Sequence, residues 1–250
     1  MEHIVVGIDL AAGRGVTALA ALHLTMRAQQ RASLSLLGVV HPPDDDAILA
    51  EATRTNPAVI GLDAPLTLPA PVAAALRGEA PSAMSGSPYT RAAERDPIWS
   101  RLGVRPFPVS FLGGLTFRAI PLAARLRANA PACQLIEVFP SAALVALDLR
   151  ASVPRGQPRL AKTSLDQRRA TQNALATFVG GLTPATDERS SLDADSLDAI
   201  AAALTAAAAV IGAIQAIGEP AEGCIVTPSQ RAADIFTPQS GPGAAHDAKL

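Results

Sequence analysis

Residues 199–218 contain no Asp, Glu, Lys or Arg, and a helix of that composition has no side it can turn to water. Protein or lipid must enclose it. Alanine dominates the run, Thr205 and Gln215 interrupt it and no cations flank it, which disfavours a membrane span. The fold must therefore bury this helix, expected over 192–217 with Gly218 and Pro220 as its stop. A chain of 250 residues at 49% hydrophobic has ample material for such a core, and one domain over 1–250 is expected.

Around that helix the chain reads as short strands. Residues 3–10 form a buried strand, because Ile4, Val5, Val6 and Ile8 are β-branched and the run stops at the small-residue turn AAGRG. Runs 16–27 and 32–40, separated by the polar MRAQQR, are two further strands, and the three make a meander. An acid-rich start marks a helix over 44–53. Residues 59–66 form the next strand. Pro65 fixes its end, since proline holds Ala64 extended and cannot donate to a ladder. Prolines and glycines crowd 68–115, so an irregular insertion or lid is expected there. A helix over 115–129 and a strand over 133–139 come next, the latter closed by Pro140 with Ser141 as the next N-cap. A helix over 163–179, an edge strand over 224–227 and a flexible tail over 229–250 complete the reading. Three antiparallel strands followed by strands alternating with helices is an α/β order.

Several function classes are disfavoured by composition. The formal net charge is −1 and Lys and Arg are scattered, so any nucleic-acid contact is short and local. MEHIVVGIDLAAG lacks the basic start and long apolar centre of a secretory signal. Cys133 and Cys224 show neither CxxC spacing nor a disulfide framework, which fits the cytoplasm, small core residues and no zinc. There is no GxSxG, no phosphate-binding P-loop and no His pair at ligand spacing.

What remains is a set of acids. Asp9, Asp63 and Glu137 each interrupt or end an apolar strand, and an acid there costs several kcal/mol unless it is paired, hydrogen-bonded or bound to a cation. Asp195 and Asp198 are three apart, about 60° on a helix, while Leu197, Ile200, Ala201, Leu204 and Ile211 take the core side. Favourable placement in a first helical turn explains Asp193 and Asp195. It explains Asp198 less well, because the same face continues as Ala202, Thr205 and Ala209. Carboxylates without His or Cys suit Mg²⁺ or Mn²⁺, and two such ions can support phosphodiester hydrolysis. Arg91, Arg95 and Lys162 are the candidate phosphate-binding cations.

The segments VVGIDLAAG, IGLDAPLTLP, YTRAAERD, IEVFPSAAL, AKTSLDQRR, DSLDAIAAALTA and GEPAEGCIVTP, in that order, resemble the domain-of-unknown-function 429 family, whose members are predicted RNase H-like nucleases. The resemblance spans nearly the whole chain. It implies an RNase H-like fold: a five-stranded mixed sheet, three antiparallel strands then parallel additions, with helices on both faces. It is also similar to the Holliday-junction resolvase branch, which implies that Asp9, Asp63, Asp195 and Asp198 bind the metal. That branch commonly has Glu at the position of Asp63.

The leading reading is thus a Mg²⁺- or Mn²⁺-dependent nuclease or phosphodiesterase. In it Asp9, Asp63 and Asp198 hold a water between two ions, Asp195 supports the second, and the substrate is a nucleic acid or nucleotide. Two alternatives stand beside it. One is a nucleotide-binding phosphotransferase of the sugar-kinase and actin-like class, suggested by GIDLA but lacking a second Gly-rich phosphate loop. The other is a non-catalytic binding protein on the same fold.

Overall fold

The computed structural model describes residues 1–13, 15–27, 31–79, 89–149 and 164–236. The chain opens with the expected meander, β1 (Glu2–Asp9), β2 (Ala18–Met26) and β3 (Ala32–Val40), each antiparallel to the next. Helix α1 (Asp45–Arg54) comes next, its N-cap Asp44 accepting from the Ala47 N–H at 2.8 Å. β4 (Val59–Asp63) then lies parallel to β1, and β5 (Gln134–Val138) parallel to β4. Between β4 and β5 run α2 (Ala70–Leu76), α3 (Ala92–Arg95), α4 (Ile98–Leu102) and the long α5 (Gly113–Asn129). The 68–115 insertion thus contains three short helices among its described residues.

After β5 come α6 (Pro140–Ala146), α7 (Leu165–Ala176), the two-residue β6 (Val179–Gly180) and α8 (Ala194–Val210). The chain then forms β7 (Ile214–Glu219), β8 (Gly223–Pro228) and α9 (Gln230–Ile235). One mixed sheet collects all the described strands in the order β6-β3-β2-β1-β4-β5-β8-β7. Its centre, β3-β2-β1-β4-β5, is the expected arrangement of three antiparallel strands and two parallel additions. The sheet has eight strands, however, not five.

The extra strands have local causes. The apolar run at 192–217 is not one helix: Gly212, at φ 66, takes the left-handed position that ends α8. There the Ala213 N–H returns to Ala208 O and the Gly212 N–H to Ala209 O, the paired bonds of a Schellman stop. The chain then extends into β7, at the sheet edge with Gln215 and Ala216 exposed. β8 is accordingly no edge strand, because β5 and β7 flank it. The 163–179 helix also stops early, and Val179–Gly180 pairs with Leu34 and Ser35 of β3. Phe139, not Ser141, caps α6. Within the expected tail, α9 packs Ala232 and Ile235 into the core, with Phe236 behind them. Cys133 and Cys224 are half-buried and not in the deep core.

Two cores cover the two sheet faces. Val5, Ala20, Leu22, Leu24, Val59 and Val138 meet α6, α7 and α8 on one side. Val6, Ile8, Ile60 and Leu62 meet Ile48 and Ala52 of α1 and Leu122 and Leu126 of α5 on the other. Each fully buried Leu or Ile here contributes about 1.5–3 kcal/mol. Ala199 through Ala208 are all buried, so α8 is enclosed as its composition demands. Among the described residues no helix is long and apolar enough to cross a membrane.

Contact between α8 and the sheet is unusually close because two glycines permit it. A Cβ placed on Gly7 of β1 would lie 2.1 Å from Ala199 O and 2.2 Å from Ala203 N. One on Gly61 of β4 would lie 2.8 Å from Ala202 O. Backbone therefore packs on backbone, with alanine the largest side chain the helix can present there.

Candidate active site

Side chains alternate across a strand, so residues two apart share a face. Gly7 and Gly61 face α8, which puts Asp9 and Asp63 on the same α8 side. Asp9 is the register partner of Asp63 across the parallel β1–β4 pair. The two half-buried carboxylates thus stand side by side at the C-terminal ends of adjacent parallel strands. Parallel strands place ligands at that end of an open α/β sheet. Asp198, one residue before Ala199 on α8, lines the same cavity, whose volume is about 740 Å³. Close packing of α8 on the two glycines is what brings these three acids to one place.

The turn after Asp9 is held from below. Arg118 of α5 donates from Nη1 to Ala11 O at 2.7 Å and pairs with Asp45 of α1 at 2.7 Å. Thr17 Oγ accepts from the Ala11 N–H at 3.2 Å. The loop after Asp63 is held by a larger buried network. Arg91, 1% exposed, donates from Nη1 and Nη2 to the two oxygens of Glu137 at 2.8 and 2.6 Å and from Nε to Glu94 at 2.9 Å. Glu137 also accepts from the Leu66 N–H at 2.9 Å, and Glu94 from the Val109 N–H at 3.2 Å. Two carboxylates face one guanidinium, and these backbone donors help to stabilise the surplus negative charge. Burial alone would lower the Arg91 pKa, but Glu137 and Glu94 hold it above its ordinary value.

Glu222, in the β7–β8 turn, completes the loop anchorage. Its carboxylate accepts from the Ala70 N–H at 3.0 Å and the Ala92 N–H at 2.8 Å, and its carbonyl accepts from the Thr67 hydroxyl. Arg91 Nη1 in turn donates to Thr67 Oγ at 2.8 Å.

Of the residues expected at the site, Asp9, Asp63, Asp198, Glu137 and Arg91 line the cavity, while Asp195 and Arg95 do not. Lys162 lies outside the described residues. Glu137 is the register partner of Leu62, whose side chain packs in the α5 core, so it faces the side of the sheet opposite to Asp9 and Asp63. Both its oxygens serve Arg91. This pair ties β5 to the insertion segment that carries Arg91. Asp193 is the α8 N-cap, accepting from the Ser196 N–H at 2.7 Å, and lies 3.4 Å from His41.

Sequence reasoning missed Arg105 and Trp99, which line the cavity from the insertion, and Arg168 from α7. The Arg168–Arg169 pair at the start of a helix was a visible signal for the last. An Arg before Pro106 in a proline-rich loop gave none.

Carboxylate oxygens are the donors Mg²⁺ prefers, and this ion is commonly held by one or two carboxylates plus waters and substrate phosphate. Asp9 and Asp63 supply such a pair. Among the described residues no three His, Cys, Asp or Glu side chains form a group that could hold a metal ion by themselves. The donor chemistry of this pair thus fits a hard, oxygen-seeking cation.

A profile for the family described as "Protein of unknown function (DUF429)" matches residues 7–223. The chain belongs to this family. No curated protein matches this DUF429 chain. Among solved structures, Thermus thermophilus RuvC is similar at 15% identity and a TM-score of 0.40, over 84% of this chain and 96% of that one. T. thermophilus RuvC in complex with Holliday junction substrate is similar at 13% identity and a TM-score of 0.38, with the same coverage.

Proposed function

We propose that this chain is a divalent-cation-dependent phosphodiesterase acting on nucleic acid or nucleotides, with its reacting centre at the ends of β1 and β4. The observation that carries the reading is the in-register pair Asp9 and Asp63, on one sheet face, with Asp198 lining the same cavity. Mg²⁺ or Mn²⁺ held by Asp9 and Asp63 would supply Lewis-acid stabilisation of charge on the phosphoryl oxygens.

The chain's own groups do the rest. Arg168 of α7 and Arg105 from the segment after α4, both lining the cavity, bind and orient the phosphate. Asp198 orients a water and accepts its proton as the water oxygen forms its bond to phosphorus, the ester P–O bond breaks and the leaving oxygen takes a proton from solvent. Apolar walls from Leu112, Leu115 and Leu144 limit bulk water. Asp195 stands outside the lining and is given no contact with the reacting atoms.

Titration calorimetry with Mn²⁺ and hydrolysis of bis-p-nitrophenyl phosphate test the reading together, on wild type and on D9N, D63N and D198N. Folded D9N and D63N should lose both the binding heat and turnover. D198N should keep most of the ion binding and lose turnover by about 10²–10⁴-fold, the range of a general base. Turnover that survives in both D9N and D63N would remove the centre from this place.

A further inference from the structure

Two unlike groups line the cavity, the acids Asp9, Asp63 and Asp198 and the apolar Trp99, Pro106 and Phe107. Phe107 is 44% exposed and stacks on Phe111, itself 77% exposed, with ring centroids 5.6 Å apart and planes within 11°. Phe111 thus backs the cavity-lining Phe107 ring, which offers a flat apolar platform that favours a flat partner. Arg105, two residues before Phe107, and Arg168 of α7 bring guanidinium groups to the same space, and guanidinium matches phosphate geometry.

Size and charge narrow the occupant further. A cavity of about 740 Å³ is on the scale of small-ligand sites, and a chain of net charge −1 offers little attraction to a long duplex. An aromatic platform with a few local cations is the pattern of a site for unpaired bases.

We propose that this cavity receives an unpaired nucleotide of a single-stranded nucleic acid, its base stacked on the Phe107 ring that Phe111 backs and its phosphate held by Arg105 and Arg168. The site rests on the phosphodiesterase reading for which bond is cut, but the binding it describes needs no turnover.

Fluorescence anisotropy of a labelled ten-residue oligothymidylate on the full chain, with Ca²⁺ replacing Mg²⁺, tests it. The single strand should bind more tightly than a ten-base-pair duplex. F107A should weaken binding by roughly 5- to 150-fold, the loss of one base stack, while F107W keeps it and so separates stacking from folding. R105A and R168A should each flatten the log–log salt dependence by about 0.7, one phosphate contact on a single strand.

Equal affinity for strand and duplex overturns the proposal, as does an F107A protein that binds like wild type. Thymidine monophosphate that competes as tightly as the strand makes the ligand a mononucleotide and overturns the strand assignment. F111A that changes the sedimentation mass and leaves oligonucleotide affinity untouched assigns the platform to a second copy of the chain. Binding without cleavage in Mg²⁺ or Mn²⁺ would remove the hydrolytic reading and leave this site standing. Cleavage indifferent to F107A would do the reverse.

Discussion

Replacing Gly7 with alanine tests how the acids are brought together. The added Cβ would sit 2.1 Å from Ala199 O, about 1.3 Å short of the 3.4 Å at which ordinary contact begins. Both nearest atoms belong to the α8 backbone, so no side chain can swing aside and the helix itself must move by about that amount. Overpacking of this kind costs about 1–3 kcal/mol and occasionally more, and G7A belongs at the upper end. For a chain of this size, about 3 kcal/mol corresponds to a fall of roughly 6–12 °C in Tm.

The same shift lifts Asp198 away from Asp9 and Asp63. Turnover should therefore fall, with Mn²⁺ binding largely kept, even at temperatures where G7A is fully folded, a misplacement near 1 Å costing up to about 10²-fold in rate. Gly38 of β3 is the control, because a Cβ there meets nothing within 4 Å, so G38A should stay within about 0.5 kcal/mol of wild type. Urea unfolding and calorimetry on both variants decide the matter. G7A that unfolds with G38A, or that keeps full activity, would refute the argument that backbone-on-backbone packing sets the site.

R91M strands Glu137 and Glu94 as buried carboxylates and should cost about 3–5 kcal/mol by urea unfolding, and R91K should fail to restore it, since lysine lacks the two-pronged fork. Burial works to raise the Glu222 pKa, but the Ala92 and Ala70 N–H groups, with Arg95 and Arg91, bring it below the ordinary carboxylate value. Its contribution is thus full above an unfolded pKa of about 4.3 and is lost as pH falls through the lower folded value, so the stability gap between wild type and E222Q should close from pH 6 to pH 3. Burial raises both the Cys133 and Cys224 thiols, so iodoacetamide at pH 7.5 should modify them more slowly in the native chain than in urea, by mass spectrometry.

Much of the fold was legible because the strands announce themselves through β-branched runs and hard stops. The β1–β2–β3 meander, β4, β5 and the enclosed α8 all come from such signals. The run at 192–217 misled because charge and hydropathy do not change where helix gives way to strand, and only Gly212 marks the joint. β7 was lost with it, β8 was left at the edge, and the true sheet order was hidden. At the site, Asp9 and Asp63 were legible as acids in apolar strands, but so was Glu137 by the same signal. Which face an acid points to depends on register, and its partner Arg91 stands 46 residues earlier. No local pattern shows that the acid in β5 is already matched to a guanidinium.

The Glu222 anchor has a consequence for how the chain is made. The loop after Asp63 is tied to a residue 155 positions further on, from Thr67 to Glu222. β8 must also insert between β5 and β7, two partners that precede it in the chain. During synthesis the meander and β4 can pair early, and Glu137 can take the Leu66 N–H and Arg91, yet the Glu222 anchor waits until the β7–β8 hairpin emerges. Closing contacts of such span is slow. A half-made chain would thus carry the carboxylates with the loop beside them only partly anchored, its Glu222 bonds still to form.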